Sequence, residues 1–128
     1  MLCKLLFKIL IISSLLSGYL FAGFFQDSVE LDDLFPDCHY GERIDSLNKY
    51  ALNLSNTDPE LQRKIANYSL SLSKKEDYEL GIAEALNIIG ESYKHLGKSD
   101  SALVYYKKAF AIWLASWLSK QVDFFDII

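Results

Sequence analysis

The sequence predicts an all-α protein built from antiparallel helical hairpins. Three observations carry that prediction. Apolar residues recur at spacings of three and four in four successive segments. Short turn signals, "NTDPE", "KKEDYELG" and "GKSD", separate those segments. No stretch alternates apolar and polar residues for long enough to make a strand.

The first helix is expected over 42–55, "ERIDSLNKYALNLS". Ile44, Leu47, Tyr50, Ala51 and Leu54 fall on one of its faces. Asp58 before Pro59 starts the second. Its carboxylate can accept from a free amide of the first turn, and proline suits the first helical position. That helix runs to about Lys75, with Leu61, Ile65, Tyr68 and Leu72 inward and Ala66 and Ser69 beside them. The third covers about 79–96 and turns Ala83, Leu86, Ile89, Gly90, Tyr93 and Leu96 to one side. Gly97 ends it, and Ser99 or Asp100 can cap the fourth, which reaches about Lys120. Ala102, Leu103, Tyr106, Ala109, Phe110, Trp113 and Trp117 line its apolar side.

Gly90, Ala102 and Ala109 are small residues among large apolar neighbours. A mid-helix glycine costs about 1 kcal/mol against alanine. Small side chains at these places let two helix axes approach to the usual ~8–10 Å.

The 128 residues suit one small domain behind a leader. The opening "MLCKLLFKILIISSLLSGYLFAGFF", 1–25, has the physics of an export signal: two lysines, an uncharged apolar run, then small residues. A cut after Ala22 and an uncleaved anchor are the two readings. Both engage the membrane or the export machinery, and both place the remainder in the periplasm or on the outer face of the cytoplasmic membrane. Residues 26–41, with Pro36 and Gly41, read as an acidic linker.

Lys4 and Lys8 are two of the 13 basic residues, and all 17 acidic residues lie beyond residue 25. The remainder therefore carries 11 basic against 17 acidic residues, a formal charge of −6. Such a balance offers no footprint for nucleic acid.

Candidate chemistry is sparse. Glycine-rich phosphate loops, paired-cysteine zinc spacings and His-Glu-x-x-His are all absent from the sequence. No cofactor and no metal site is expected. Cys38 beside His39 invites a nucleophile-and-base reading, that of a small exported enzyme. Adjacent side chains diverge, however, and no third partner is evident. Removal of the leader takes Cys3 with it, so an unbridged thiol in a loop is expected at position 38. The sequence reads as a non-enzyme.

Leu86-x2-Ile89-Gly90-x2-Tyr93, then Gly97, Ala102-x3-Tyr106 and Ala109, resembles the tetratricopeptide repeat. The match covers about 83–116, with Leu114 where the family usually has proline. A weaker copy covers about 44–77, where Gln62 and Ser69 stand near the two alanine positions. Residues 57–90 are similar to exported repeat regions that precede a membrane helix and a histidine kinase, or a DNA-binding regulator, in bacterial signalling proteins. No kinase or helix-turn-helix motif occurs here.

The resemblance implies a short tetratricopeptide-like solenoid over 42–120. Its role would be a protein-interaction module of the cell envelope, perceiving a protein or peptide partner for a signalling system. It assigns repeat packing to Leu86, Ile89, Gly90, Tyr93, Gly97, Ala102, Tyr106 and Ala109. It assigns the partner groove to Asn48, Glu84, Asn87, Glu91 and Lys94. Family members that grip a terminal carboxylate use a basic cluster, and Lys94 beside two glutamates does not make one. The tail 121–128 is apolar and lacks the polar cap that repeat arrays carry. A fragment of a longer repeat protein, self-association through the apolar end, and docking on a membrane or another protein are the competing accounts.

Overall fold

The computed structural model describes residues 38–126 together with positions 31 and 34–36, with side chains as far as Phe124. The leader and most of the acidic linker lie outside the described residues. The chain divides into two units, Met1–His39 and Tyr40–Ile128. In the first, the amides of Leu34 and Cys38 donate to the carbonyls of Leu31 and Phe35, which makes two tight turns.

The second unit is all-helical. It comprises α1 (Tyr40–Asn53), α2 (Pro59–Lys75), α3 (Glu79–His95) and α4 (Ser99–Asp126). No strand occurs among the described residues. Helix α1 starts two residues earlier than its pattern suggests, taking in Tyr40 and Gly41. Gly41 stands inside α1, and an added Cβ there would meet nothing within 4 Å.

Asp58 caps α2 as its chemistry requires, accepting from the Leu61 amide at 2.9 Å. Helices α2 and α3 end alike. Tyr78 N–H reaches the Ser73 carbonyl and Asp77 N–H the Lys74 carbonyl, at 2.9 and 3.4 Å. At the end of α3, Lys98 N–H reaches the Tyr93 carbonyl and Gly97 N–H the Lys94 carbonyl, at 2.9 and 3.0 Å. Both pairs follow the Schellman pattern, which needs a left-handed residue. Gly97 supplies it at φ +74, but Asp77 supplies it at φ +51 with a side chain attached.

Ser99 and Asp100 do not stand before α4; they form its first turn, and the Ala102 amide donates to the Lys98 carbonyl. The helix also runs past Lys120. Nothing in "QVDFFD" breaks it, so α4 reaches 28 residues, about 42 Å.

Helix α3 is the centre, packed against all three others. It is buried on nearly every side, through Ala83, Ala85, Leu86, Ile88, Ile89 and Ser92. Gly90 faces Tyr106 and the Ala102 carbonyl. Gly81 marks a second close approach: a Cβ there would lie 2.7 Å from Ser73 Oγ and 2.8 Å from the Ile44 side chain. Helices α1, α2 and α3 therefore meet at Gly81.

The buried face of α2 is the expected one at Ile65, Ala66 and Ser69 and differs elsewhere. Gln62, Ile65, Ala66, Ser69 and Ser73 point inward, while Leu61, Tyr68 and Leu72 are half-buried. Close helix contact selected the small side chains over the larger apolar ones. Helix α4 departs further: Ala102 and Ala109 are buried, but Leu103, Phe110, Trp113 and Trp117 are exposed.

Polar and aromatic contacts hold the stack at its edges. Arg43 on α1 donates to the Tyr68 hydroxyl on α2 at 2.9 Å. Across the other three helices runs a ladder. The Arg63 guanidinium sits 5.0 Å from the Tyr93 ring, Tyr93 stacks on Tyr105 at 5.4 Å, and Lys108 covers Tyr105.

Candidate functional site

A groove of about 370 Å3 opens along α1 and the first half of α3. Helix α1 supplies Asp45, Asn48, Lys49 and Leu52, at the spacing that puts side chains on one stripe. Helix α3 and the turn before it supply Tyr78, Leu80, Glu84, Asn87 and Ile88, and Trp113 of α4 closes one side.

Asn48 stands on the wall of this groove and is 98% removed from solvent, at 2% exposure. Its Nδ2 donates to Glu84 Oε2 at 3.4 Å and to the Gly81 carbonyl at 3.5 Å, both long. Its Oδ1 is buried with no hydrogen-bond partner. A buried amide oxygen in that state costs about 1–3 kcal/mol until a donor reaches it.

The groove is acidic at one end. The Tyr78 hydroxyl donates to Asp45 Oδ1 at 3.1 Å. Burial first, then that hydrogen bond and the charges of Asp45 and Glu84, raise the Tyr78 pKa above its ordinary 10.0. Lys49 is exposed on the rim, and Leu52, Leu80, Ile88 and Trp113 provide apolar lining. Such a surface can hold an extended chain: amides for its backbone, carboxylates for basic side chains, an apolar lining for bulky ones.

Of the five groove residues expected from sequence, the fold gathers Asn48, Glu84 and Asn87. Glu91 lies further along α3, 3.9 Å from His95 Nε2, and Lys94 is exposed to solvent. Asp45, Lys49, Leu52, Tyr78, Leu80, Ile88 and Trp113 were not singled out for the groove. For the α1 residues a signal existed, since Asp45, Asn48, Lys49 and Leu52 recur at helical spacing opposite the apolar face. Trp113 carried no such signal, because its place depends on how α4 crosses α3.

A second depression of about 470 Å3 lies between α2, α3 and α4, floored by Leu70, Ile82, Leu86 and Ile112 and flanked by Lys74 and Lys108. Its Lys108 already covers Tyr105.

Cys38 does not carry an open thiol. It is disulfide-bonded, and its partner lies outside the described residues. The unbridged thiol expected there is thereby corrected, and a bridged sulfur has no thiolate to attack with. Among the described residues no three His, Cys, Asp or Glu side chains converge to hold a metal ion. Nor is any described helix long and apolar enough to cross a membrane. No family model, no curated protein and no solved structure matches this chain.

Proposed function

We propose that residues 40–126 form a protein-interaction module of tetratricopeptide type, carried behind an export signal, whose α1–α3 groove holds an extended peptide segment of a protein partner. The observation that carries this reading is Asn48, an amide buried at the groove with an oxygen that no group among the described residues satisfies. A peptide N–H supplies the missing donor once the side chain turns toward it.

The helical arrangement supports the same reading. Helices α1 and α2 pair, α3 and α4 pair, and α1 also touches α3. Small residues stand at the close approaches, as stacked hairpins require. The groove's chemistry narrows the partner to a segment with basic and bulky apolar side chains. Placement in the cell envelope, as the sensing end of a signalling protein, rests on the leader and on the resemblance alone. No reaction is proposed.

Trp113 on the groove makes the test direct. In a Trp117→Phe background Trp113 is the chain's one indole. Its emission should respond to unstructured peptides rich in lysine and leucine, and not to glutamate-rich peptides of equal length. Glu84→Gln, which keeps an acceptor for Asn48 Nδ2, and Asn87→Ala should each weaken the response at least tenfold while melting stays unchanged. Equal response to both peptide classes, or indifference to both substitutions, sinks the proposal.

A further inference from the structure

Nine large apolar side chains among the described residues of α4 stand in the open, and among them Leu103, Phe110, Trp113, Leu114, Trp117 and Leu118 are between 39% and 63% exposed. At 100° per residue these six fall within a single sector of about 140°, beside the face that holds Ala102 and Ala109. Their exposed surface is on the order of 600 Å2, at the top of what an ordinary monomer shows in one patch.

We propose that this stripe is a self-association surface, on which α4 of a second copy packs antiparallel about a two-fold axis at Leu114. The argument begins with the pattern of the stripe itself. Tyr106 lies in the same sector but packs on Gly90; between Leu103 and Gln121 the charged or amide residues on the stripe are Lys107 and Gln121, seven residues before and seven residues after Leu114. Phe110 and Leu118 lie four before and four after. An antiparallel partner centred on Leu114 therefore sets apolar side chains on apolar ones and Lys107 against Gln121. Leu114 faces its own copy, Phe110 faces the partner's Leu118, and Lys107 faces the partner's Gln121, whose amide oxygen accepts from the ammonium. Each pairing occurs twice, as an isologous interface demands.

Area and charge agree with that occupant. Two such stripes bury on the order of 1,200 Å2 together, which reaches the range of specific interfaces. Helix α4 carries Asp100, Asp123 and Asp126 against Lys107, Lys108 and Lys120, so the helix itself brings no net charge to the contact. An anionic membrane is a poorer fit, because residues beyond the leader carry −6 overall. Another closely packed hairpin is also a poorer fit. Ser73 of α2 is the small, buried seat against which Gly81 of the next helix closes. Forty residues on, the corresponding seat of α4 holds Trp113. An indole there keeps a following helix from approaching as α3 approaches α2.

The test uses the full chain in the cells that make it, as two co-expressed copies with different tags. A photo-cross-linking phenylalanine derivative replaces Leu114, and in a control it replaces Lys108 on the other side of α4. Leu114 should give a product of twice the mass that carries both tags, and Lys108 should give none. Lys107→Glu should cut the yield at least tenfold, and Lys107→Glu with Gln121→Lys should restore it. Both substitutions lie on a surface helix and leave its buried face untouched, so far-UV circular dichroism should not change. Absence of the two-tag product overturns the proposal. So does an adduct with lipid or with a different protein, and so does a yield that ignores the Lys107 and Gln121 exchange.

Discussion

Tyr106 packs on Gly90 with no space for a methyl group between them: an added Cβ would lie 2.8 Å from the ring. The Ala102 carbonyl closes the same spot at 3.2 Å. Gly90→Leu should therefore overpack the α3–α4 contact and cost about 1–3 kcal/mol. The cost should shrink in a Tyr106→Ala background, because the ring is what the larger side chain strikes. Chemical denaturation of the four chains of this cycle measures the coupling.

Gln62 is fully buried, and neither its amide nitrogen nor its amide oxygen has a partner. Ala102 stands forty residues later on the matching face of α4. Gln62→Met keeps the length and removes both unsatisfied groups, so it should raise stability by about 1 kcal/mol. A lowered denaturation midpoint would mean that the amide is satisfied by bound water.

Asp77 and Gly97 do the same work at the ends of α2 and α3, and only glycine does it without strain. Asp77→Gly should stabilise by about 1 kcal/mol, and Gly97→Ala should destabilise by a similar amount. Thermal melts of the two single variants should move in opposite directions.

Tyr78 and Tyr106 both hold their protons more tightly in the fold than the ordinary value of 10.0, chiefly through burial. Above pH 10 the unfolded chain loses these protons while the folded chain keeps them. The folded state then binds more protons, and stability falls as pH rises. The contribution is complete below pH 10 and disappears as pH climbs through the folded-state values. Unfolding measured from pH 8 to pH 11 should show this decline, and Tyr78→Phe with Tyr106→Phe should flatten part of it.

The four helices were legible because each alternates turn chemistry with apolar spacing. Asp58-Pro59 and Gly97 are strong local signals, and both act as their chemistry requires. The inward face of α2 was harder to see. Ser69 and Ser73 look like solvent residues by type, yet the Ser73 hydroxyl bonds the Ser69 carbonyl at 2.8 Å and vanishes into a helix contact. Gly81 is similar, since only the convergence of three helices reveals why it lacks a side chain. The groove was half legible. Asn48, Glu84 and Asn87 share it through helical spacing, whereas Trp113 reaches it through a crossing that no local pattern encodes.

The central position of α3 has a consequence for how the unit opens. Every other helix rests on α3, so α3 should exchange its amide hydrogens last. Helix α1 sits at one end of the stack and rests on its neighbours through Ile44, Leu47, Asn48 and Ala51, so it should open before α3. A peptide lying across α1 and α3 would then fasten the part that releases first. Such a ligand would slow hydrogen exchange in α1 far more than in α3, and recognition would be written in the unit's local opening rather than in a change of shape.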